Sequence, residues 1–93
     1  MRRPCERTWR IILEWAWNND VGKFTHNDLL DRGVVSYGGQ RRKQVWSASS
    51  TLRRMHEAGL LRILVVGKGR RVGIYAPISR DEYNQKLKQL FLT

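Results

Sequence analysis

Residues 65–73, VVGKGRRVG, place three glycines and three cations between two apolar runs. A loop of this make-up can hold an anion. Glycines let backbone N–H groups come close to a phosphate, and Lys68, Arg70 and Arg71 supply the charge. A P-loop needs G-x-x-x-x-G-K-[ST] ahead of a helix. Here Lys68-Gly69 runs into Arg70, and an alternating apolar stretch follows. A dinucleotide fingerprint needs G-x-G-x-x-G opening a helix. Gly67, Gly69 and Gly73 have the wrong last spacing, and the downstream element reads as a strand. Both nucleotide readings fail on context. The remaining reading is a cationic turn at a hairpin tip, its glycines tolerating positive φ. The phosphates it faces would then be those of a nucleic-acid backbone.

Other reactive side chains offer less. Cys5, His26 and His56 stand apart, without the paired spacings of zinc motifs, so neither metal nor cofactor is expected. His56 reads as a surface residue near Arg53. Asp28 and Asp31, three apart on a short helix, suit capping better than acid–base work. No spacing marks a Ser-His-Asp or Cys-His arrangement, so no enzymatic activity is expected. The single cysteine cannot form an internal disulfide, which fits a reducing, cytoplasmic setting. Cys5 itself reads as a small buried hydrophobe.

Charge is the strongest compositional signal. The chain carries a formal net charge of +10 over 93 residues. Residues 40–78 hold nine Lys and Arg against one acid, Glu57, and so account for eight of the ten excess charges. Charge concentrated in this way points to a polyanionic partner. Apolar runs are too short to span a membrane, and Arg2 and Arg3 lack the apolar stretch of a signal peptide. No small-molecule ligand is evident.

The elements that must position these cations follow from periodicity. Pro4 suits the first turn of a helix over 4–18. On it, Cys5, Trp9, Ile12, Leu13 and Ala16 make one apolar face, and Ile11 and Trp15 a second, narrower stripe. Asn18, Asn19 and Gly22 end it. Phe24 enters the core as an extended residue. A second helix covers 25–32, with Thr25 and Asp28 as capping box, Leu29 and Leu30 inward and Gly33 at its end. A polar connection leads to a third helix over 41–58, where Val45, Ala48, Leu52 and Met55 face inward and Gly59 stops the chain. Residues 60–76 read as a hairpin. Leu61, Ile63 and Val65 oppose Arg62 and Leu64, and Val72, Ile74 and Ala76 oppose Gly73 and Tyr75; GKGRR is the loop, and Pro77 marks the strand end. A last helix covers 80–92, with Ser79 and Glu82 as capping box and Tyr83, Leu87, Leu90 and Phe91 as apolar stripe.

Helix, helix, helix, hairpin, helix is an α+β order within a single 1–93 domain. It resembles the winged helix-turn-helix family over nearly the whole chain. The most specific piece is STLRRMHEAGLLRILVV, residues 50–66, which looks like a recognition helix leaving through Glu-Ala-Gly-Leu into a wing strand. The resemblance implies a three-helix core, a β-hairpin wing and an extra C-terminal helix. It also implies that the third helix enters the major groove of double-stranded DNA.

On that helix and its lead-in, Gln40, Arg41, Arg42, Lys43, Gln44, Trp46, Ser47, Ser50, Arg53 and Arg54 are the candidate DNA contacts. Lys43, Ser47, Ser50 and Arg54 fall at i, i+4, i+7 and i+11, one outward stripe able to follow a groove. Arg can read guanine, Gln adenine, and Ser either base or phosphate. Lys68, Arg70 and Arg71 would touch backbone or minor groove. Trp46 either packs on the connection through Tyr37 or stacks on a sugar or base. Ile11 and Trp15, with Tyr83, Leu87, Leu90 and Phe91, either cover one another within the chain or form a homodimer interface.

The expected function is a small, sequence-specific DNA-binding regulator, most simply a repressor acting by operator occupancy. Two alternatives share the fold: an interaction module with an RNA or acidic protein partner, and a replication or partition factor of a virus or plasmid.

Overall fold

The computed structural model describes the backbone of residues 5–92 and the side chains of residues 7–88. Its elements are α1 (Cys5–Asn18), α2 (His26–Asp31), α3 (Arg41–Glu57), β1 (Leu61–Val65), β2 (Ile74–Pro77) and α4 (Arg80–Leu92). This is a small α+β domain of four helices and one antiparallel hairpin, a layout compatible with a winged helix. Pro4 and the side chains of Cys5, Leu90 and Phe91 lie outside the described residues.

α1 buries the face its spacing marks out: Ile12, Leu13 and Ala16 are at most 1% exposed. It ends in a Schellman motif. Val21 N–H donates to the Ala16 carbonyl at 2.9 Å and Asp20 N–H to that of Trp17 at 3.5 Å. The left-handed residue there is Asp20, at φ 52°, so the stop is made by an aspartate rather than by Gly22. α3 ends in the same motif with Gly59 at φ 81°. Leu60 N–H reaches the Met55 carbonyl, and Gly59 N–H that of His56, both at 2.9 Å. α2 is fixed at its start by the expected capping box of Thr25 and Asp28. Its Leu29 is fully buried and Leu30 partly so.

Phe24, Leu52 and Met55 join the α1 residues and Leu29 in one core, closed by Val35, Leu60, Leu61 and Ile78. Of these, Val35, Leu60 and Ile78 lie outside the helices and strands, where no periodicity announces them. Phe24 also pairs with β2: its N–H and carbonyl each bond Tyr75 backbone at 2.9 Å. This bridge anchors the α1–α2 connection to the hairpin.

β1 and β2 pair with Leu61 opposite Pro77, Ile63 opposite Tyr75 and Val65 opposite Ile74, the register shifting between Ile63 and Val65. Inward and outward residues alternate along β1 as expected. β2 starts at Ile74, so Val72 and Gly73, expected within it, belong to the connection. A Cβ on Gly67 would lie 2.8 Å from the Gly73 backbone nitrogen, so the two chains approach there more closely than side chains allow. Beyond that pair the tip is a tight turn. Lys68 and Arg71 exchange both backbone hydrogen bonds, at 3.1 and 3.0 Å, with Gly69 at φ 63° between them. The five-residue loop GKGRR is therefore a turn with Gly69 and Arg70 at its centre.

α4 starts on half of its expected box. Glu82 N–H donates to Ser79 Oγ at 3.1 Å. The Glu82 carboxylate accepts from Arg62 Nη2 at 3.0 Å, tying α4 to β1 instead of returning to the cap.

Candidate nucleic-acid interface

α3 presents two outward flanks. Lys43, Ser47, Ser50 and Arg54 form the stripe singled out from the sequence. Arg42, Trp46, Ser49, Arg53 and His56 form a second at the same spacing, and its Ser49, Arg53 and His56 face the hairpin. Ser49, Arg53 and His56 line a cleft of about 410 Å³ whose other wall is the 66–73 connection and Tyr75. Lys68, Arg70 and Arg71 line it too, so the wing cations and Arg53 are brought to one place.

His26, at the start of α2, also lines the cleft. Burial, and then the neighbouring Arg41 guanidinium, hold its pKa below the ordinary value of 6.5. His56 is not the plain surface residue its position suggests. Its Nδ1–H donates to the Leu61 carbonyl at 3.1 Å, and its ring centroid lies 6.3 Å from that of Tyr75. That bond fixes the neutral tautomer and leaves Nε2 as the basic nitrogen. Ser49, His26 and His56 line the cleft without being among the candidates read from the sequence. For Ser49 and His56 the signal was available, since they repeat the i, i+4, i+7 spacing one residue along from the chosen stripe. For His26 there was none; only the fold brings α2 to the cleft.

Several expected contacts are committed elsewhere. Gln44 is a scaffold residue: its Nε2 donates to the Tyr37 and Gly39 carbonyls, both at 3.0 Å, pinning the connection ahead of α3. Arg41 pairs with Asp31 at 2.9 Å, both side chains more than half exposed. In water such a pair is weak, so a phosphate can compete for the guanidinium. Tyr37 does not shelter Trp46. Its hydroxyl meets Thr51 Oγ1 at 3.0 Å, and Thr51 donates onward to the Ser47 carbonyl at 2.9 Å. Trp46 stays 71% exposed, which removes the packing alternative. Gln40, Arg42, Lys43, Arg53 and Arg54 are exposed, and Ser47 and Ser50 half-buried.

The candidate dimer stripes are partly used within the chain. Trp15 packs edge-on against Phe24 with centroids 5.6 Å apart, under the Arg32 guanidinium. Tyr83 packs on Trp17 at 5.5 Å, and the Trp17 indole N–H donates to the Ile78 carbonyl at 2.9 Å. Ile11 remains 43% exposed and Leu87 half-buried. Among the described residues, Trp15 is thus covered by Phe24 and Tyr83 by Trp17.

Among the described residues no cluster of three or more His, Cys, Asp and Glu could hold a metal ion. Among them, too, no helix is long and apolar enough to cross a membrane. Family models, curated proteins and solved structures were all compared with the chain, and none matches.

Proposed function

We propose that the chain is a winged-helix protein that binds double-stranded DNA sequence-specifically and regulates transcription by occupying an operator. The supporting observation is the shared cleft: Arg53 of α3 and Lys68, Arg70 and Arg71 of the hairpin tip line one groove. Seated in a major groove, α3 would offer both outward flanks to base edges while the tip reaches the flanking backbone or minor groove. A net charge of +10, mostly in 40–78, supplies the salt-sensitive part of the affinity. On this reading the protein works on cytoplasmic or nucleoid DNA, and a plasmid or viral replication role would use the same face. A homodimer would join through Ile11, Leu87 and the end of α4.

Substitution separates the roles. Arg70→Ala with Arg71→Ala should weaken all duplexes alike and lower the salt slope by about 2, one per phosphate contact. Arg54→Ala, on the outward stripe, should change preference among sequences, by about 1–3 kcal/mol at the position it reads. Equal affinity of the wing variant and the parent would leave the tip without a role. A second reading, an interaction module with an RNA or protein partner, is favoured by one feature: Trp46, Leu64 and Val66 are 71%, 54% and 61% exposed.

A further inference from the structure

Both histidines of the chain line the α3–hairpin cleft, though thirty residues separate them in sequence. Around them the cleft is cationic. Arg53 stands one turn before His56 on α3, Lys68, Arg70 and Arg71 stand opposite, and Arg41 neighbours His26. The carboxylates nearest in sequence are already engaged or turned out. Asp28 binds Thr25, Asp31 binds Arg41, and Glu57 is exposed. On β1 the Leu61 carbonyl takes the His56 Nδ1 proton, and on β2 the neighbour is Tyr75. An anion entering this space meets positive charge from α3 and from the hairpin tip, and two imidazoles with a nitrogen available for a proton.

We propose that this cleft seats a phosphate of the nucleic-acid backbone, and that His26 and His56 take up protons as it does so. The inference rests on the DNA reading and adds a proton linkage to it. For His26, burial and then the Arg41 guanidinium favour the neutral imidazole. A bound phosphate reverses the local field, so the imidazolium becomes the favoured form and donates to the phosphate oxygens. Affinity is then higher at acid pH. It falls as pH rises through the histidine range, by up to about tenfold per pH unit for each proton gained.

The test uses the full chain and one tight-binding duplex at fixed ionic strength. Kd is followed by fluorescence anisotropy from about pH 5.5 to 8, the range that brackets histidine. The parent should weaken as pH rises, His26→Gln and His56→Gln should each flatten the slope, and the double variant should be nearly pH-independent. In parallel, NMR titration of the histidine ring protons of the parent should show higher pKa values with duplex than without. That second readout stands even if a variant fails to fold. A parent that binds with a steep salt slope but with flat pH dependence and unmoved histidines overturns the linkage and leaves the DNA reading intact. Absence of binding at every pH overturns the DNA reading itself. Equal histidine shifts with inorganic phosphate alone assign the cleft to a free anion and overturn the backbone assignment.

Discussion

Asp20 takes the helix-closing role that the sequence reading gives to Asn18, Asn19 and Gly22. Among the described residues it is the one non-glycine at positive φ, and it closes α1 where glycine does the same for α3. A left-handed backbone is costly for an L-residue, and a carboxylate sits badly at the negative end of a helix dipole. Asp20→Gly should therefore raise stability by up to about 1 kcal/mol, net of the extra freedom glycine gains in the unfolded chain. A drop in the thermal midpoint would show that the carboxylate has a role of its own. His26 makes a second residue-level prediction. Its pKa is lowered in the fold, so below the unfolded value of about 6.5 the unfolded chain binds more protons. The neutral form's contribution is complete above that value and is lost as pH falls toward the folded pKa. Thermal unfolding at descending pH should show this loss, and His26→Gln should remove it. Residue roles of this sort were the least legible in the sequence. Gln44 looked like a base reader because it sits beside Arg42 and Lys43. Its backbone partners, Tyr37 and Gly39, depend on how the connection folds back. Trp46 kept two roles open until Tyr37 was found on Thr51.

At the scale of elements the sequence was far more informative, because helix and strand periods are local properties. The four helices fall within one or two residues of the spans expected from apolar spacing and caps. The hairpin was found as well, but not its detail. Alternation continues through Val72 and Gly73, yet pairing stops at Ile74. The close approach of Gly67 and Gly73 there is a contact across the hairpin, invisible to a pattern read along one strand. This gives the glycines of the opening stretch different tasks. Gly69 turns the tip, while Gly67 lets two backbones meet. Gly67→Ala should shift the Lys68–Arg71 turn and lower stability by about 1–3 kcal/mol, the usual cost of overpacking. Unchanged backbone amide shifts at 66–73 would count against it. The α3 core makes a firmer case. Leu52 is fully buried, and Leu52→Ala should cost about 2–5 kcal/mol in denaturant unfolding.

Over the whole molecule, what matters is where the charge ends up. The sequence places eight excess cations in residues 40–78, and the fold gathers Arg53 and the three wing cations around one cleft. That gathering could only be anticipated through the family resemblance, since residues 53 and 71 are brought together by the hairpin and not by any local period. His26 could not be anticipated at all, because its place depends on how α2 lies against α3 and the Phe24–Tyr75 bridge. The charge pattern, the outward flanks of α3 and the cationic tip all support the proposal that the protein recognises duplex DNA by sequence. Its most direct test is to pass a pool of random duplexes over the protein at low and at raised salt and to sequence what is retained. The account predicts a single enriched motif, with retention falling steeply as salt rises. A homodimer would make that motif palindromic. No retention at low salt, or retention without any motif, would contradict the account.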